Sequence, residues 1–406
     1  MPVLMSQIVP DVVLIEPVAR CTGHQSWYFR QLYQALAAAG TTVLGLTYSG
    51  LHEDEDFHLG EQRCYRVSNE FPHFVGAFLS FLTGVDKFDP IRLTGGTRGL
   101  RARLYFQIVC ALTLMWALKQ ARTNGWPVLH LLCPPSFLVL AVLLFYSSKS
   151  PTTIVTVYGS PHKYFGSRAL LRWPRTYHRV RLICQTEHIA LSWAKVIGND
   201  RVFRIELPTE NSGRAYAKAT ARIQLGLPLG CPIVGILGFL TAEKGYVEVL
   251  NAVAAMKAEV HVLFFGDAPR QLNPSPMDVA RQLGIEERLI LHLGFAPEAD
   301  FAAAVAAVDV VALLYRDSSQ SSGVLSWCVS RGVPVLATKH GALGVQVRDL
   351  AAGITVDPLD ANETAAAIHR LLTEGAPACN GLRAGTDWAA AATSHQRLYR
   401  DVLNGI

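Results

Sequence analysis

The feature that most constrains this chain is an alternation of short apolar runs with amphipathic stretches that runs through once, stops, and starts again. VVLIEP (12–17) leads into a glycine-containing turn at Cys21-Thr22-Gly23-His24, then the helical stretch WYFRQLYQALAAAG and a second strand, TTVLGLTY. An apolar strand, a glycine turn and an amphipathic helix form the opening unit of a doubly wound domain. VLHLLCP (128–134), TIVTVYG (153–159) and RLICQTE (181–187) continue as strands. Between the first two lies PSFLVLAVLLFYSSKS, a buried helix with proline near its start, and IALSWAKVIG follows the third as a helix.

The pattern halts at VFRIELPTENSG (202–213), whose Pro, Asn, Ser and Gly suit a linker. It resumes with the strands PIVGILGF (232–239), VHVLFFGD (260–267), LILHLGF (289–295), VVALLY (310–315) and VPVLAT (333–338). KGYVEVLNAVAAM, DFAAAVAAVD and SSGVLSWCVSRG are the helices between them. Strands alternating with helices twice over give an α/β chain with two parallel-sheet, Rossmann-like domains. The expected boundaries are 1–205, 206–385, and a last segment, 386–406, holding the helix DWAAAATSHQRLYRDVLNGI. The halves share architecture and no residue-level repeat.

A chain of 406 residues, half of them hydrophobic and 17% charged, has apolar surface enough for two cores. Its eight cysteines are scattered through apolar stretches without a CxxC pair, which suits free thiols in a reducing cytosol. The N-terminus lacks the basic start and apolar run of a signal peptide. The most apolar segment, Leu104 to Leu118, is short of the roughly 20 residues that span a bilayer, so no transmembrane span is expected.

Charge is unevenly spread. Residues 1–200 hold 19 Lys and Arg against 12 Asp and Glu, whereas the rest hold 18 against 20. From Lys87 to Lys195 there are 15 basic residues and two acidic ones, Asp89 and Glu187. This points to an anionic partner for the first half: a membrane surface, a phosphorylated acceptor, or, ranking last without any recognisable motif, nucleic acid. The acidic run Glu53-Asp54-Glu55-Asp56 reads as a solvated loop, and no Asp-x-Asp pair follows a strand. No metal site is expected.

Four stretches carry a resemblance: GFLTAEKG (238–245), FFGD (264–267), the run from 283 to 315, and SSQSSGVLSWCVSRGVPVLAT (318–338). In this order and spacing the second half resembles the donor-binding domain of GT-B glycosyltransferases, specifically glycosyltransferase family 4. The likeness runs from Ile233 to about Leu372, with a weaker match over 12–205. It implies two domains facing across a central cleft, the last helix returning to the first domain, and a nucleotide-diphosphate sugar as donor with no further cofactor.

A sugar leaving a nucleotide diphosphate develops negative charge on phosphate oxygens, which a placed cation or amide cluster must balance. Lys244, at a helix start, is the cation the resemblance points to, with Gly238 letting backbone approach the ligand. Ser321, Ser322, Gly323 and Val324 match the segment that holds the donor's sugar and phosphates. Gly266 and Phe295 fall on the two strand ends that complete the donor site. In the first half Gly23 resembles the glycine loop beside the diphosphate, flanked by His24. Tyr158 stands where the family often carries an active-site histidine, with His162 four residues on. Lys244, His24 and His162 are the catalytic candidates.

Two departures stand out. Phe239 replaces the arginine that usually pairs with the lysine, and Ser319 and Trp327 stand where a pair of glutamates would fall. The expected activity is metal-independent transfer of a hexosyl unit, with retention, to a glycan or lipid-linked acceptor in polysaccharide or glycolipid biosynthesis. The expected location is cytoplasmic, peripheral at the inner membrane face, with nucleic acid excluded as partner. The departures keep a second reading open, a non-catalytic GT-B relative acting as a binding or activating partner. A GT-B epimerase or phosphorylase is a third.

Overall fold

The structure is a computed structural model. It describes residues 9–17, 24–47, 64–67, 97–132, 137–145, 151–161, 180–208, 216–268, 272–316, 318–375 and 387–405. Gly23, the acidic run 53–56 and His162 lie outside the described residues, as do Cys21, Cys133 and Cys379. Among the described cysteines, Cys110, Cys184 and Cys328 are buried. Two compact units make up the chain: Met1–Glu206 with Trp388–Ile406, and Leu207–Asp387.

The first unit is built on seven parallel strands: β1 (Val12–Ile15), β2 (Val43–Thr47), β3 (Cys64–Arg66), β4 (Val128–Leu131), β5 (Thr152–Val157), β6 (Val180–Cys184) and β7 (Val202–Arg204). Their order is β3-β2-β1-β4-β5-β6-β7. VVLI of β1 is buried at every residue, as expected for a parallel strand covered on both faces. Residues 202–204, expected to begin a linker, instead form the edge strand, with Leu182 opposite Val202 and Ile183 opposite Phe203. The β-branched and aromatic side chains of VF favour the pleat over the turn chemistry that follows.

Among the described residues, four helices of this unit precede the crossover: α1 (His24–Ala38), α2 (Thr97–Asn124), α3 (Phe137–Phe145) and α4 (Glu187–Ile197). Thr186 caps α4 by accepting from the Ile189 N–H. α2 is longer than its apolar stretch foretold. Its 28 residues continue past Leu118 because Lys119, Gln120, Ala121 and Arg122 are all good helix formers. Within it, Leu104–Asn124 is long and apolar enough, by length and composition alone, to cross a membrane, yet 56% of that segment's most apolar window is buried inside the protein.

The second unit has six parallel strands: β8 (Ile233–Leu237), β9 (His261–Gly266), β10 (Leu289–Leu293), β11 (Val310–Leu313), β12 (Val335–Thr338) and β13 (Gly353–Val356). They are ordered β10-β9-β8-β11-β12-β13. Between and around them run α5 (Lys218–Gln224), α6 (Tyr246–Ala255), α7 (Pro276–Leu283), α8 (Glu298–Ala307), α9 (Gly323–Arg331), α10 (Gly341–Asp349) and α11 (Ala361–Glu374). Side chains alternate between the two faces of this sheet, which splits its core in two. Ile233, Leu237, Leu263 and Val311 pack with Ala303, Leu325 and Leu343 on one side. Val234, Ile236, Phe264 and Ala312 pack with Val249, Leu250 and Ile368 on the other.

The last helix, α12 (Trp388–Leu403), belongs to the first unit, as the resemblance implied. Trp388 packs against Trp27 and Tyr28 of α1 at 5.4 Å between ring centroids. Gln396 donates to the Ala39 carbonyl and to Thr41. Deeper in, the Tyr399 hydroxyl and Thr156 Oγ1 each lie 2.8 Å from a ring nitrogen of fully buried His130.

Candidate active site

In the second sheet the order in which strands are added reverses between β8 and β11, the first and fourth strands of the unit. Open parallel sheets bind ligands beyond the C-terminal strand ends at such a switch point, where the flanking loops diverge. The loops after β8 and β11 therefore define the candidate site.

After β8 the chain passes Gly238, Phe239 and Leu240 into a 3-10 turn, Ala242–Lys244, and then Gly245, whose left-handed backbone (φ 68°) opens α6. Only glycine fits here for a second reason as well: a Cβ would stand 2.0 Å from the Leu314 carbonyl oxygen. The loop is thus pressed onto the end of β11, and this brings Lys244 to Tyr315. The Lys244 ammonium donates to the Tyr315 hydroxyl at 2.7 Å and lies 4.2 Å from the ring centroid. Tyr315 Oη in turn lies 3.3 Å from Ser322 Oγ. Ser322 is the cap of α9, accepting from the Leu325 N–H.

Two cations border this corner, and they differ in availability. Arg316 Nη2 is 2.8 Å from Glu248 Oε1, and that hydrogen bond and charge hold its pKa above the ordinary value. Lys244 is half-buried and has no carboxylate within ion-pair distance among the described residues. A neutral hydroxyl holds the ammonium without cancelling its charge.

The remaining donor-side candidates adjoin one another through backbone. Gly238 N donates to the Phe265 carbonyl at 2.9 Å, and Gly294 N to the Gly266 carbonyl at 3.0 Å. A Cβ on Gly238 would stand 3.3 Å from Val324 Cγ2. The ends of β8, β9 and β10 and the start of α9, with Ser321, Ser322, Gly323 and Val324, thus lie side by side. Phe239 and Phe295 leave this edge with 46% and 56% of their surface exposed, so neither ring is used by the core. Tyr315 went unnoticed in the sequence, where VVALLY read only as a strand. Its place two residues past β11, at a switch point, is the signal that marks it.

The departures from the family pattern have structural outcomes. Trp327 is buried, edge-to-face on Phe301 at 5.5 Å with the Arg331 guanidinium 4.4 Å over its ring. It fills core space where a glutamate was looked for. In the first unit Tyr158 is also committed to packing: its hydroxyl donates to the Leu132 carbonyl at 3.1 Å and its ring meets Tyr28 edge-on. His24 is the first residue of α1, of which only the backbone is described; Gly23 and His162 lie outside the described residues. Among the described residues, no group of three or more His, Cys, Asp or Glu is placed to hold a metal ion.

Residues 231–374 match the glycosyl transferases group 1 family. The D-inositol 3-phosphate glycosyltransferase of Corynebacterium aurimucosum is 30% identical over 199 residues, covering 45% of this chain and 46% of that protein. The 2-deoxystreptamine glucosyltransferase of Streptomyces kanamyceticus is 29% identical over 172 residues, covering 41% and 43%. The chain spans about half the length of the curated relatives it matches. Among solved structures, sucrose-phosphate synthase from Thermosynechococcus elongatus superposes with a TM-score of 0.70 at 20% identity, covering 97% of this chain and 99% of that one. Anabaena HepE, solved with UDP-glucose, gives 0.61 at 15% identity, covering 97% and 99%. The chain has the GT-B fold and is related to the glycosyl transferases group 1, a relationship carried by its second unit.

Proposed function

We propose that this protein is a glycosyltransferase that moves a hexosyl unit from a nucleotide-diphosphate sugar to a glycan or lipid-linked acceptor. The observation that carries the reading is Lys244, an ammonium held by a neutral hydroxyl at the switch point of the second sheet, beside the N-terminus of α9. In the reaction the bond between the anomeric carbon and the diphosphate oxygen breaks, and its electron pair leaves with the phosphate. Lys244 and the first amides of α9 balance that charge as it develops. The acceptor hydroxyl oxygen bonds to the anomeric carbon. On the acceptor side, which we assign to the first unit, His24 and His162 are the candidates to receive its proton.

The transfer is metal-independent in this reading, since a protein cation and helix amides supply the charge that a divalent ion would otherwise bring. Retention of anomeric configuration is proposed from the family likeness. A role in polysaccharide or glycolipid synthesis at the cytoplasmic membrane face is supported by the basic first half and the apolar helix α2. A thermal-shift panel of UDP-, GDP-, ADP- and dTDP-sugars tests the donor class, with stabilisation by one of the four expected. Proton NMR of the product's anomeric signal then reads the stereochemistry.

Phe239 and Trp327 favour one second reading, a non-catalytic relative that serves as a binding or activating partner. They remove a permanent charge and the carboxylate expected at the ribose. Saturation-transfer NMR separates the two readings: contact with UDP or GDP supports the enzyme, and contact with no nucleotide supports the partner.

A further inference from the structure

We propose that Tyr315 is a positioning residue for Lys244, fixing the ammonium at the switch point in place of the second cation that Phe239 removes. The inference rests on the nucleotide-sugar reading above and names a residue which that reading does not require.

A lysine ammonium on four rotatable carbons has no geometry of its own, unlike the planar fork of arginine. Where two cations share a diphosphate, each limits the other's useful positions through the ligand. Here the position of the pairing arginine carries Phe239, and the neighbouring Arg316 is held by Glu248. Lys244 therefore needs another restraint, and Tyr315 supplies it twice. The hydroxyl accepts one ammonium proton at 2.7 Å, and the ring lies 4.2 Å below the charge. Gly245 makes this possible, because its missing Cβ lets the lysine loop sit on the Leu314 carbonyl, one residue before Tyr315.

The direction of the hydrogen bonds also matters. Tyr315 Oη accepts from Lys244; either hydroxyl of the 3.3 Å pair with Ser322 Oγ can donate, and the arrangement that suits an anion has Tyr315 giving its proton to Ser322. Ser322 Oγ also accepts from the Leu325 N–H at 3.4 Å. It is thereby filled as an acceptor and keeps its proton to give. Lys244 retains two N–H groups and Ser322 one O–H, all of positive character, as an anionic ligand requires. A carboxylate at 315 would hold the lysine equally well but cancel its charge.

The test is a double-mutant cycle on binding of UDP, GDP, ADP and dTDP by titration calorimetry, with thermal unfolding measured alongside. Tyr315→Phe keeps the ring and removes one oxygen. It is expected to weaken the preferred nucleoside diphosphate about tenfold in the wild-type background and less than about twofold in Lys244→Ala. Unchanged affinity in Tyr315→Phe, or an equal loss in both backgrounds, overturns the inference while leaving the role of Lys244 standing. Wild-type affinity in Lys244→Ala, or no nucleotide binding by the native chain, sinks the nucleotide reading and this one with it. A second measurement needs no ligand. Heteronuclear spectra of the lysine ammonium groups should show a Lys244 signal, absent in Lys244→Arg, that disappears in Tyr315→Phe. Its persistence in that variant overturns the proposal.

Discussion

The α-carbon of Gly266 lies against the carbonyl of Gly238: a Cβ built on Gly266 would stand 2.1 Å from that oxygen. Gly266 also has φ 131°, a conformation that side-chain-bearing residues rarely adopt. The two glycines end neighbouring strands at the candidate donor edge, so their closeness sets how the β8 and β9 loops diverge. Gly266→Ala is expected to lose roughly 2–5 kcal/mol of stability by overpacking and backbone strain together. Denaturant unfolding of the variant checks it. A change below about 0.5 kcal/mol would mean the loop relaxes freely and does not shape the site.

Lys244→Ala separates stability from function. The side chain is half-buried, has one hydrogen bond to Tyr315 and belongs to neither core cluster. Its loss should leave the melting temperature nearly unchanged. Removing a group that balances charge in a transition state costs roughly 100- to 1000-fold in turnover. Donor-sugar turnover and a melting curve on the same preparation check both halves. Retained activity with a large drop in melting temperature contradicts the assignment.

Most of the architecture was legible because parallel strands buried on both faces must be almost wholly apolar. VVLI, IVGIL and VVAL announce themselves in this way. β3 and β13 did not: Cys64-Tyr65-Arg66 and Gly353-Ile354-Thr355 lie at sheet edges, where half-exposed positions tolerate polar residues and periodicity fades. At the site, Lys244 and Ser322 could be read from local sequence because helix starts have a recognisable chemistry. Tyr315 could not, since its importance comes from Gly245, seventy residues earlier, allowing two loops to touch. Trp327 shows the converse. It stands where the family pattern has a ligand-gripping glutamate, and its ring packs on Phe301 instead.

Arg222 should be the costliest single charge to remove from the second unit. It is buried, and its guanidinium spans several acceptors: Nε donates to the Ala307 carbonyl at 2.8 Å and Nη1 to the Cys231 carbonyl at 3.0 Å. Nη2 meets Asp309 Oδ2 at 2.6 Å, and that oxygen also accepts from the Ile233 N–H. The residue therefore ties α5 and the chain before β8 to the start of β11. Arg222→Met leaves these acceptors without their donor and is expected to cost about 3–5 kcal/mol. Arg222→Lys should recover little of it, because a point ammonium cannot reach acceptors arranged for a fork. Full recovery by lysine, measured by urea unfolding, would show that charge alone matters.

Acid should loosen the first unit through His395 of α12 and His130 beneath it. Burial lowers the pKa of His395 to about 4 and holds His130 well below its ordinary value, with the two rings 5.6 Å apart. Each is neutral in the folded chain above its lowered pKa, whereas the unfolded chain takes up protons from about pH 6.5 downward. Above that pH neither state is protonated and these groups add no pH dependence. Below it the unfolded state binds more protons, so stability falls as pH drops, by up to about 1.4 kcal/mol per unit for each histidine. For His395 the loss is complete near pH 4 and is on the order of 3 kcal/mol. Six of the seven tryptophans fall in the first unit, so their fluorescence follows its unfolding. Urea titrations at pH 7.5, 6.5, 5.5 and 4.5 should show a midpoint that is flat at first and then declines. His395→Phe removes one of the titrating groups and should make the decline shallower. An equally steep decline in that variant would place the acid sensitivity elsewhere and leave the contact of α12 with the first sheet indifferent to protonation.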